Sequence, residues 1–176
     1  MTKSPAMRIE FATEADIPLI HDMIEALADH LELAHEVVAT ESDLHDALFG
    51  QRPKAEVVIA FADAEPAGFA LFYDNYSTFR GRCGIHLEDL YVRSEWRGSG
   101  IGRCLLAYLA ELTRRRGCSR LEWWVLAADA GAAAFYEAIG ATAKGEWDIY
   151  RLHGPALHAL ADEACAQHLI KRGGAG

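Results

Sequence analysis

Two short stretches of this sequence carry residue types and spacings that could do chemistry. The first is Arg97-Gly98-Ser99-Gly100-Ile101-Gly102, a turn with alternate glycines lying between a strand-like and a helical stretch. Glycines let backbone N–H groups approach a phosphate, and a helix N-terminus adds partial positive charge, so the turn is a candidate anion site. It is not a P-loop, because no GxxxxGK[ST] string occurs. Nor is it a dinucleotide fingerprint: the sixth place is Arg103 counted from Gly98 and Leu105 counted from Gly100. A pyrophosphate loop of a third type, or a plain glycine turn, remains. The second stretch is the adjacent pair Glu88 and Asp89, inside GIHLEDLYV (84–92). A carboxylate there could take a proton from a bound group, directly or through water, or simply attract a cation. On a regular strand Glu88 and Asp89 point to opposite faces, as do Trp123 and Trp124. Trp124 could line a ligand site or pack into the core.

The elements that must hold these residues follow from periodicity and caps. Residues 8–11 read as a strand. Thr13-x-x-Asp16 is a capping box before Ile17, Ile20, Ile24, Leu27 and Leu31, which recur at helical spacing. Thr40-x-x-Asp43 opens a second helix that ends near Gly50. EVVIAFA (56–62) and AGFALFY (67–73) form a hairpin through residues 63–66, and 84–92 is a third strand that could carry a bulge near Glu88-Asp89-Leu90. Ile101, Cys104, Leu105, Tyr108, Leu109 and Leu112 mark the strongest helix, with Arg114, Arg115 and Arg116 suited to its C-terminal dipole and Gly117 as its stop. LEWWVL (121–126) is a strand, Asp129 can cap a short helix through Ile139, and 146–152 is a last strand. Pro155 starts a C-terminal helix to about residue 170, with fraying over 171–176. The order β-α-α-β-β-β-α-β-α-β-α, with hairpins first and a crossover later, predicts an α/β (α+β) single domain around a mixed, mostly antiparallel sheet.

Composition narrows the partners. The chain has 176 residues, 51% hydrophobic and 24% charged, with a formal net charge of −9. That is the composition of a folded globular chain, and its acidity argues against nucleic acid as the main partner. No apolar run approaches the ~18 residues of a membrane span, and the first residues lack a signal peptide's apolar stretch, so a cytoplasmic location is expected. Reduced thiols follow from that expectation, with Cys104 and Cys118 read as core or half-buried. The eight histidines show no HExxH and the four cysteines no CxxC, so no metal site is expected.

The string LEDLYVRSEWRGSGIG (87–102), with RGCSRLEWWVL (116–126), AFYEAIGA (134–141), YSTFRGR (76–82) and LADHLELAHEVVATESDL (27–44), resembles the GNAT superfamily of N-acetyltransferases. It looks most like the spermidine/spermine (diamine) and thialysine acetyltransferase branch. The resemblance covers residues 7–152 and implies the GNAT fold, with a V-shaped splay between the central strands. It implies acetyl-CoA as co-substrate, held by backbone groups of Leu90, Tyr91 and Val92 along the pantetheine arm and by Arg97, Gly98, Ser99, Gly100, Ile101, Gly102 and Arg103 around the pyrophosphate. Tyr136 matches the tyrosine that protonates the leaving thiolate and Glu88 the acceptor-site carboxylate, with Asp89, Trp124 and Glu32 as further acceptor candidates. A homodimer is implied as well.

The chain departs from that branch in places. Glu32 stands one residue later than the branch's acidic residue, after His30-Leu31. Asp129 replaces the usual Asn at the cofactor, and Ala128 the preceding Trp. The expected function is acetyl transfer to a small cationic amine (polyamine, diamine or lysine analogue). Protein N-acetylation, or CoA binding without turnover, are the alternatives.

Overall fold

The computed structural model describes residues 6–166, with side chains described through residue 163. A five-stranded sheet in the order β1-β2-β3-β4-β5 is formed by β1 (Met7–Phe11), β2 (Glu56–Ala62), β3 (Glu65–Ser77), β4 (Arg82–Val92) and β5 (Leu121–Trp123). The first four strands are antiparallel and β5 lies parallel to β4. The helices are α1 (Ile17–His30), α2 (Glu41–Phe49), α3 (Ile101–Arg115), α4 (Ala130–Ala138) and α5 (Gly154–Ala166). The described residues up to 135 make one compact unit and those from 136 a second.

Within the first unit both capping boxes form. Asp16 accepts from the Thr13 N–H and Asp43 from that of Thr40, satisfying amides that a helix start leaves over. Helices α1 and α2 bury Ile17, Ile20, Met23, Leu44 and Leu48 against Val57, Ile59, Phe69, Leu71 and Tyr91. The opposite face of the sheet takes α3, whose buried side is Ile101, Leu105, Leu106, Leu109 and Leu112. Phe11 meets Tyr108 of α3 edge-on at 6.2 Å, which fixes that side. Cys104 is exposed, not half-buried as its spacing suggested, because the buried stripe runs through 105, 109 and 112 and leaves 104 to one side.

Past α3, Arg116 donates to both oxygens of Glu56 at 2.7 Å and to Asp74 at 3.0 Å, rather than serving the helix dipole alone. The returning chain runs beside the start of β4, where Ser119 N–H donates to the Cys83 carbonyl. There Cys118 and Cys83 lie 4.5 Å apart at Cα and are joined in a disulfide, correcting the expectation of reduced thiols for this pair.

Strand β5 stops at Trp123, short of the expected residue 126. The 146–152 stretch of the second unit, expected as a strand, forms none: its alternation is strand-like, but no ladder partner exists among the described residues. The C-terminal helix is α5. Its expected continuation to residue 170, the fraying of 171–176 and the side chain of Cys165 lie outside the described residues.

Candidate acceptor and cofactor site

The site is built on the second half of β4. Its ladder with β5 pairs Ile85 with Leu121, His86 with Glu122 and Leu87 with Trp123, and then ends. Strand β4 continues to Val92, paired only with β3 among the described residues. This is the expected splay, and it leaves one edge of Leu90, Tyr91 and Val92 open. The Tyr91 side chain itself belongs to the core under α1 and α2, so only its backbone can serve a ligand.

A bulge is present, and of the three residues where the sequence allowed one it falls at Glu88. Leu71 pairs with Asp89 and Phe72 with Leu87, so Glu88 is an extra residue with no cross-strand partner. A bulge resets alternation, and this corrects the division of the carboxylates between faces. Asp89 sits opposite Leu71, on the face covered by α1 and α2, while Glu88 approaches His86 and Tyr73 on that same face. Burial, and then the Glu88 charge beside it, push the Asp89 carboxyl up to about 6. Glu88 itself is about half exposed, with 48% of its side chain in solvent.

Around the pair the face is polar and aromatic. His86 stacks on Tyr73 at 5.0 Å and meets Trp124 edge-on at 5.0 Å. Its Nε2 lies 3.6 Å from Glu88 Oε2. Desolvation, then the facing Glu88, hold the Tyr73 phenol above its ordinary value. Asn75 donates to Glu122 at 2.6 Å, and Arg120 lies 3.0 Å from the other Glu122 oxygen. Trp124 is brought to the carboxylates' face and Trp123 to the other, as expected. Glu32 is not joined to the pair by any hydrogen bond or ion pair among the described residues. It occupies the left-handed position (φ 60°) that ends α1, where the following N–H of Leu33 returns to the Ala28 carbonyl.

The glycine turn leads into α3 as expected. Gly98 (φ 74°) and Gly100 (φ 91°) adopt left-handed backbone, and a side chain at either would meet nothing within 4 Å, so the turn stands beside open space. Ile101 is fully buried and anchors the helix start. Arg97 donates through Nε to the Val92 carbonyl at 3.1 Å and lies over the Tyr91 ring, so it ties the turn to the end of β4. The Ser99 hydroxyl donates to the Trp96 carbonyl, and Gly102 and Arg103 lie in the first turn of α3. Asp129 caps α4, accepting from Ala132 N–H at 2.8 Å. Tyr136 also lies on α4, as the first residue of the second unit, where its carbonyl accepts from Ile139 and Ala141.

Tyr73, His86 and Glu122 carry no motif of their own in the sequence. His86 does carry one signal, because residues i and i+2 on a strand share a face and it stands two before Glu88.

The model of the acetyltransferase (GNAT) family matches residues 22–141. The chain belongs to the GNAT acetyltransferase family. It is 36% identical to a thialysine N-epsilon-acetyltransferase of Bos taurus, over 87% of this chain and 96% of that protein. It is 31% identical to an L-ornithine N5-acetyltransferase of Arabidopsis thaliana, over 87% of each. Among solved structures, an integron cassette protein from the mobile metagenome of V. cholerae aligns with a TM-score of 0.73 and 28% identity, over 88% of this chain and 97% of that one. This GNAT protein is an N-acetyltransferase acting on amine acceptors. Members of its family use acetyl-CoA as co-substrate. No helix among the described residues is long and apolar enough to cross a membrane.

Proposed function

We propose that this enzyme transfers acetyl from acetyl-CoA to the primary amine of a small cationic acceptor (a polyamine, diamine or lysine analogue) by direct attack in a ternary complex. The observation that carries the reading is the bulge, which gathers Glu88 and Asp89 on one face beside the open edge of β4. The thialysine and ornithine acetyltransferases, each named for transfer to an amine nitrogen, support the acceptor class.

Acetyl-CoA would supply the thioester. The open space at Gly98 and Gly100 and the start of α3 fit a pyrophosphate, with Ser99, Ile101, Gly102 and Arg103 completing the turn and Asp129, the cap of α4, as a further cofactor residue. Backbone groups of Leu90, Tyr91 and Val92 would run along the pantetheine arm, and an N–H there would stabilise charge developing on the thioester oxygen. Glu88 takes the ammonium proton, through water or directly, while Asp89 and Trp124 favour the cation. As the C–N bond forms and the C–S bond breaks, Tyr136 donates its proton to the leaving thiolate, and the attacking nitrogen gives up its second proton, which restores the phenol. A homodimer, a cytoplasmic location, and operation without metal, nucleic acid or membrane belong to the same proposal.

A mass-spectrometric screen of diamines, polyamines and lysine analogues with acetyl-CoA tests this reading. Acetylated amine is expected. CoA binding without transfer to any of them would make the protein a binding module. Tyr136→Phe is expected to lower kcat by roughly one to three orders of magnitude with little change in acetyl-CoA affinity, measured by steady-state kinetics beside calorimetry.

A further inference from the structure

His86 and Thr113 are the buried polar side chains among the described residues, and the Thr113 hydroxyl is satisfied within its own helix by the Leu109 carbonyl. His86 instead faces the acceptor side. Its ring is stacked on Tyr73 from β3 and closed by the edge of Trp124 after β5, so it has one place to sit. Glu88 is the reverse case. A strand side chain is usually fenced by its cross-strand neighbours, and the bulge leaves Glu88 with none. The groups that face its carboxylate are His86 Nε2, at 3.6 Å, and the Tyr73 phenol.

We propose that His86 is a positioning residue: the imidazole clamped between Tyr73 and Trp124 holds the Glu88 carboxylate in line for the acceptor amine. This rests on the assignment of Glu88 to acceptor deprotonation. A base misplaced by about 1 Å costs up to ~10²-fold in rate, so a rigid neighbour matters most where the backbone gives least support.

Two substitutions separate positioning from packing. His86→Phe keeps a ring between Tyr73 and Trp124 and removes both nitrogens. His86→Gln loses the ring and restores an N–H donor near the place of Nε2. Positioning expects kcat/KM for the acceptor to fall about 10- to 100-fold in His86→Phe and to be largely recovered in His86→Gln, with acetyl-CoA affinity unchanged in both. Packing expects the opposite order, because Phe fills an aromatic slot better than Gln. A fully active His86→Phe enzyme, or equal losses in the two variants, would overturn the proposal. If His86→Phe does not fold, His86→Asn takes its place: its amide falls short of Glu88, so activity equal to that of His86→Gln would overturn the proposal. Glu88→Gln is measured alongside. In that background the His86 substitution should add no further loss, and an additive loss would also overturn the proposal. If Glu88→Gln alone is fully active, the Glu88 assignment fails, and this is distinguishable from a failure confined to His86.

Discussion

Around β4 the two faces of the sheet have opposite characters. Toward α3 the strands present Phe72, Ile85 and Leu87, each at 1% exposure or less. Toward α1 and α2, one residue away along the same strands, they present Tyr73, His86, Glu88 and Asp89, and β5 adds Glu122. Two residues earlier on β3, that second face is still hydrocarbon, with Phe69 and Leu71 packed under α1 and α2. Where helix cover ends, the face becomes polar. At this end of β3 and β4 the buried hydrocarbon therefore lies toward α3 and the polar groups on the other face, and the bulge at Glu88 brings both carboxylates to that polar side.

Leu87→Ala is expected to do the most damage, removing about 2–5 kcal/mol of stability. Transfer per folded molecule should be nearly unchanged. Chemical denaturation with active-site titration checks this, and a selective loss of kcat would show that the α3 face also serves the reaction.

Asp89→Asn is expected to act in the opposite sense. The folded protein holds the Asp89 proton up to about pH 6, above the ordinary value of 3.8, so stability falls as pH rises between those values. Replacing the carboxyl should stabilise the protein near neutral pH, by at most about 3 kcal/mol, with the gain vanishing below about pH 4. Melting curves across that range check the sign. If Asp89 also helps hold the cation, the wild-type acid limb near pH 6 in kcat/KM should disappear in the variant.

Trp124→Ala should have the smallest effect. Its ring is 56% exposed, so stability should change by no more than about 1 kcal/mol. Loss of a cation–π partner should raise the acceptor KM about two- to ten-fold, read from kinetics with acetyl-CoA saturating.

Local signals in the sequence carried most of this arrangement. Both Thr-x-x-Asp boxes, the glycine turn before α3 and the interruption at Glu88 depend on residues within a few positions of each other, so they could be read in advance. What could not be read depends on pairing between distant segments. Whether Glu88 or its neighbour takes the extra place is decided by the register against Leu71 and Phe72 on β3. The approach of Cys83 to Cys118 depends on where the chain returns after α3. The missing strand at 146–152 shows the converse, since a good alternating pattern makes no strand without a partner edge. Cys104 stands at the margin of the buried stripe of α3, a distinction that spacing alone does not draw.

The central claim is that the carboxylate gathered by the bulge works on the acceptor and not on the fold or the cofactor. Glu88→Gln, assayed together for amine kinetics, CoA calorimetry and melting, addresses it directly. The account expects kcat/KM for the amine to fall by ~10²-fold or more, with CoA affinity and melting temperature unchanged. Wild-type kinetics in a folded, CoA-binding Glu88→Gln enzyme would contradict it.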